Sequence, residues 1–153
     1  MSLTLDFQAV TAAIKALNVP GVNIKDTYEV PEGTLLTTPV LYPRPDNFIT
    51  GFNVVIETFG FDGDEQATAV YTLNYRYLHC TLGSMGGLLH TYAAFLANVK
   101  SIIEAIMNDD TITGATNVRF GTIPAMGPLN DNAGNQYLGC DFTIMVEEYT
   151  GGA

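Results

Sequence analysis

The sequence is short of charge, and shortest of positive charge. Charged residues make up 14% of its 153 positions, against about 25% in a typical soluble domain. Lys and Arg number 6 and Asp and Glu 16, for a net charge of −10. The six cations are Lys15, Lys25, Arg44, Arg76, Lys100 and Arg119, and no two are neighbours. A nucleic-acid interface needs a basic stripe to neutralise phosphates, so sequence-specific DNA binding is not expected. Two cysteines are too few for a disulfide scaffold, and both fall in strand-like segments where a buried free thiol is the default. No apolar run reaches the ~18 residues of a membrane span; the nearest, Leu88–Met107, is interrupted by His90, Asn98, Lys100 and Glu104. The first residues, Met-Ser-Leu-Thr-Leu-Asp, lack the basic and apolar regions of a signal peptide. There is no repeat period and no low-complexity block.

What is present is apolar: 47% of residues are hydrophobic. That excludes disorder, and the length suits one domain (residues 1–153) able to hold a core without staples. Two explanations of the missing charge stay open. The surface is built from Thr, Asn, Gly and Ser, or part of it is covered in an assembly.

Phe7, Val10, Ile14 and Leu17 recur at helical spacing, so a helix is expected over about Ser2–Asn18, ended by Pro20-Gly21. Residues 22–47 read as extended. Pro31, Pro39, Pro43 and Pro45 lie within fifteen residues, and each removes a ladder donor, which argues against a central strand. The expectation is a long Pro-rich surface arm, about residues 31–47, made apolar by Leu35, Leu36, Val40, Leu41 and Tyr42. Stiffened by proline, such an arm loses little entropy on docking, so it is a candidate for gripping a partner. The plainer reading is that these residues pack on their own domain.

Phe48–Phe59 and Thr68–Leu82 alternate as strands around an acidic turn at 60–66, which predicts an antiparallel hairpin. In the second strand Tyr71, Leu73, Tyr75, Tyr77 and His79 share one face; the other turns apolar at Leu78, Cys80 and Leu82. Glycines at 83, 86 and 87 break the strand before a long helix, Leu88–Met107. Thr116–Ile123 is a further strand, Pro124–Asn135 a loop, Tyr137–Tyr149 the last strand, and Thr150–Ala153 a flexible tail. The expected class is α+β: a mostly antiparallel sheet with two helices packed on its apolar face, plus the arm. The opposite face, with many Tyr and Thr, is expected to be open to solvent or to serve as a lining or contact surface.

Residues that carry chemistry do not assemble into a site. His79 and Cys80 are strand neighbours pointing to opposite faces, so a Cys–His pair is not expected. No Cys-x-x-Cys or His-x-x-x-His offers zinc ligands. Asp62, Asp64 and Glu65 resemble the start of a calcium loop, but its twelfth position is Leu73; Asn130–Gly134 fails likewise. Gly83–Gly87 lacks the Lys-Ser/Thr of a phosphate loop. Glu147-Glu148 reads as a solvated strand edge. No catalytic residue, metal or cofactor is expected.

The layout resembles the tail terminator (tail completion) proteins of long-tailed bacteriophages. The resemblance covers nearly the whole chain. It rests on the helix end Asn18-Val19-Pro20-Gly21-Val22, the stretch Pro39-Val40-Leu41-Tyr42-Pro43, and the hairpin. It continues through the long helix ending in Asn-Asp-Asp and the final run from Gln136 to Glu147. It implies a structural virion protein with no catalytic motif, forming a ring, usually of six subunits. The ring caps the tail tube and joins it to the head–neck connector, with DNA only as passing cargo and the virion as location. Implied partners are further copies of the chain, the tail tube protein and a connector or stopper protein. Leu36, Leu41, Tyr42, Arg44, Phe48 and Arg119 are the candidate interface residues, Arg44 and Arg119 through acids on a neighbour. Acids facing the bore would repel DNA. The alternatives are another neck ring protein of stopper type, a small-ligand-binding domain whose Tyr-rich face lines a pocket, and a hydrolase using Cys80 or Cys140.

Overall fold

The computed structural model describes residues 5, 7–27, 36–59, 64–84, 88–108, 116–131 and 134–149. Two long strands form its spine: β4 (Asp64–Thr81) and β7 (Gln136–Tyr149), antiparallel from Thr68↔Tyr149 to Thr81↔Tyr137. Each carries two shorter strands end to end along its free side. β2 (Val40–Pro43) and β3 (Ile49–Phe59) line β4, and β5 (Thr116–Phe120) and β6 (Met126–Asn130) line β7. The two-residue β1 (Asn23–Ile24) pairs with β2 in the one parallel ladder among the described residues. The class is α+β with a mostly antiparallel sheet, as the alternating strands and short connections require.

Both helices cover one face. α1 (Phe7–Lys15) contributes Val10 and Ile14, and α2 (Leu88–Asn108) contributes Phe95, Val99, Ile102 and Ile106. They pack on Tyr71, Leu73, Tyr75 and Tyr77 of β4 and on Leu138, Cys140, Phe142, Ile144 and Val146 of β7. Each such apolar side chain contributes about 1.5–3 kcal/mol on burial. The spine strands approach closely at Gly139, where a Cβ would collide with the Tyr77 carbonyl oxygen. Only glycine fits there.

Several expectations are corrected. The tyrosines of β4 are not on an open face; Tyr71, Tyr75 and Tyr77 are buried under the helices. The opposite face has its own small cluster of Val40, Tyr42, Leu78 and Tyr137. The break in β4's pattern near Leu78 is a β-bulge between Leu78 and Cys80. It leaves Leu78 in the outer cluster while Cys80 and Leu82 pack on the core. The stretch 124–135 is not all loop, since β6 pairs with β7 through Met126–Asn130. Glu148 is no solvated edge: it is buried and accepts a 2.6 Å hydrogen bond from the Leu5 amide.

The largest correction concerns the arm. Residues 31–35 lie outside the described residues. Val40–Pro43 is a strand between β1 and β4, and all four residues are buried. The prolines do not forbid it because they bracket it: Pro39 precedes the strand and Pro43 closes it. The donors between them remain, and the ladder extends to Lys25 N–Leu41 O at 2.8 Å and Arg44 N–Asn74 O at 2.9 Å.

Candidate functional site

β3 is the place where this fold leaves apolar surface uncovered. Its alternation and its Val, Ile, Phe and Thr content specify a strand, and it pairs with β4 from Ile49↔Leu73 to Phe59↔Asp64. Gly51, at φ +62°, sits in a bulge between Thr50 and Asn53. This backbone conformation suits glycine and turns Phe52 flat against Tyr71, with ring centroids 5.6 Å apart. Register places Ile49, Val54 and Ile56 opposite Leu73, Ala69 and Ala67, on the helix-covered side of the sheet. The helices do not reach them. Ile49, Phe52, Val54, Val55 and Ile56 are exposed, Ile56 to 60% and Phe52 to 51%. Among the described residues these are five of the eight exposed large hydrophobic side chains, so the exposure is concentrated on one strand. β3 pairs with β4 on one side and with no other described strand. Among the described residues, its outer edge is an unpaired row of alternate amides and carbonyls along an eleven-residue strand.

The far side of the sheet ends in the same way. β5 pairs with β7 and with no other described strand. Val118 and Phe120 fall opposite Val146 and Ile144 and pack on the core, whereas Arg119 falls opposite Met145 and is exposed on the outer face. Arg119 has no ion-pair partner among the described residues.

The other residues singled out from sequence lie elsewhere. Leu41 is fully buried and Tyr42 is 4% exposed, so neither can reach a neighbour. Leu36 packs on the outer cluster and its amide donates to Tyr137 Oη at 3.0 Å. Phe48 packs on the core, edge-on to Phe7 at 5.9 Å. Arg44 is held within its own chain, with Nη2 2.8 Å from Asp46 and Nη1 3.3 Å from Asp141. Asp141 also grips Arg76 with both oxygens, Nε–Oδ1 at 2.6 Å and Nη2–Oδ2 at 3.0 Å. That hydrogen bonding pushes the Arg76 guanidinium above its ordinary value and keeps it protonated. Burial works to raise Asp46, but Arg44's hydrogen bond and charge outweigh it and hold that carboxyl low. The Arg–Asp network is thus a clasp across β2, β4 and β7. Of the six residues, Leu41 and Tyr42 are buried, Leu36, Arg44 and Phe48 are half-buried, and Arg119 is exposed with no ion-pair partner among the described residues. β3 was missed as a surface because its alternation looks the same whether its apolar face is covered or bare.

Groups with chemical potential are placed where they serve packing. Burial pushes the Cys140 thiol up to about 12, which makes it a poor nucleophile at neutral pH. The Asn98 amide donates to Tyr77 Oη at 2.9 Å, and the same hydroxyl shares a hydrogen bond with His79 Nδ1 at 2.8 Å. His79 also stacks on Phe95, so its ring is used on both face and edge. No group of three metal-ligating side chains occurs among the described residues. Asp62 of the calcium-like run lies outside them. In the Asn130–Gly134 run, Asp131 accepts from the Asn135 amide at 2.8 Å and shapes a turn. A cleft of about 280 Å³ is lined by Thr27, Pro43, Arg44, Pro45 and Phe48; its guanidinium is already engaged by Asp46 and Asp141. Comparison with protein families and with curated proteins finds no match.

Proposed function

We propose that this chain is a structural protein that works by self-association, of the kind that terminates a phage tail. In this reading copies close into a ring on the end of the tail tube, block further subunit addition and present a docking face to the head–neck connector. The observation that carries the reading is the bare apolar edge of β3. A long, uncovered, hydrophobic edge strand is a liability in a monomer and a ready contact in an assembly. The low charge of the chain agrees with this, because interface cores are depleted of charged residues. A closed ring uses two different surfaces of each subunit, and β3 and β5, on opposite sides of the sheet, each lack a second strand partner among the described residues. Tail tube and connector proteins are the proposed partners. DNA passes through, and acids facing the bore keep it from adhering.

The ligand-binding alternative loses its stated pocket, since the tyrosine face is filled by the helices. Electron microscopy of the purified protein, with antibody labelling of viral particles, tests the reading. Rings with an open bore and label at the head–tail junction are expected. A monomer at all concentrations with no label on particles would overturn it, and a bore lined mainly by Lys and Arg would overturn its electrostatic part.

A further inference from the structure

We infer that subunits join edge to edge through the sheet: β3 of one copy adds to β5 of the next, with Glu57 facing Arg119. This rests on the self-association reading and specifies its contact. The occupant of the β3 edge is a second copy of the chain because the same chain carries the matching edge. Strand direction matches first. β3 runs antiparallel to β4, β4 to β7, and β7 to β5. A copy continuing the sheet in the same orientation therefore brings β5 antiparallel to β3, the pairing with perpendicular hydrogen bonds.

Faces match next. Val54 and Ile56 stand on the helix side of β3, opposite Ala69 and Ala67. Val118 and Phe120 stand on the helix side of β5, opposite Val146 and Ile144. Joining the edges continues one apolar face into the other. On the outer face, Glu57 falls opposite Gln66 and Arg119 opposite Met145, and both are exposed. Neither has an ion-pair partner among the described residues. An antiparallel register that sets Arg119 against Glu57 sets Phe120 against Ile56, so charge and apolar contact are satisfied together.

A pairing of β3 with β3 lacks this complementarity. With Glu57 as its one charge, β3 offers a second β3 no cation, and Arg119 is left unused. The β3–β5 contact is also head-to-tail, which permits a ring, whereas β3–β3 pairing stops at a dimer.

The test is sedimentation of the full chain and of the variants Glu57→Arg and Arg119→Glu, each alone and mixed in equal amounts. Each variant alone places like charges at every contact, and its association is expected to weaken at least fivefold per contact. The mixture restores opposite charges at every contact of an alternating assembly, so association returns to near the wild-type level. Both substitutions are on exposed positions, and circular dichroism confirms that the variants are folded. A wild-type assembly unaffected by either variant, or weakened by one and not restored on mixing, overturns the edge pairing while leaving self-association standing. A wild type that stays monomeric overturns both.

Discussion

β2 and β3 lie end to end along the same side of β4, and they could hardly differ more. β2 has four residues bracketed by prolines, every one buried. β3 has eleven, no proline and an apolar alternation interrupted once by the Gly51 bulge, and its residues from Ile49 to Glu57 are exposed. By composition the first is the outlier and the second a core strand. The fold reverses this because burial depends on what lies over a strand. β2 has β1 beside it, the α1 side of the core beneath it, and Tyr137 and Leu78 above. β3 runs past the end of the helical layer, so the same kind of side chain is left bare.

Paired truncations sharpen the contrast most. Leu41→Ala in β2 is expected to cost about 2–5 kcal/mol in urea unfolding, because a fully buried leucine leaves a cavity. Ile56→Ala in β3 should change unfolding by no more than about 0.5 kcal/mol yet weaken self-association. Equal costs at the two sites would show that β3 is covered after all.

Asp141→Asn comes next. It loosens the clasp that fixes β2 to the spine and leaves Arg76, with a side chain 14% exposed, short of its counter-charge. A loss of about 1–3 kcal/mol is expected, with assembly through β3 retained.

The third effect is on pH dependence. Burial holds the His79 imidazole below its ordinary value of about 6.5. The unfolded chain thus binds this proton first, so the stabilisation is complete above about pH 6.5 and is lost as pH falls through the folded value. Melting temperatures from pH 7.5 to 5 should fall more steeply for the wild type than for His79→Gln. Parallel profiles would remove His79 as the cause. The smallest effect belongs to Glu104→Gln on α2. Its 3.8 Å pair with Lys100 is between side chains 57% and 76% exposed, and the expected change is under about 0.5 kcal/mol.

Much of the architecture was legible. Apolar spacing located α1, α2, β3, β4 and β7, and the short acidic turn located the β3–β4 hairpin. β6 escaped because Gly127 and Pro128 read as loop, although a strand paired on one side only tolerates them. The candidate surface was half legible. Arg119 was named as a lone cation, and the structure leaves it exposed on an open edge. Leu41 and Tyr42 were named for being apolar near prolines, which describes a buried strand as well as a docking arm.

Sequence alone determined the periodicities, and with them the elements, the α+β class and the apolar face of each element. These are local properties, set by side chains at fixed spacing along a backbone of known geometry. Only the tertiary structure decided which apolar face was left over. That depends on how far the two helices extend across a sheet whose longest strand has eighteen residues, and no local pattern encodes that coverage.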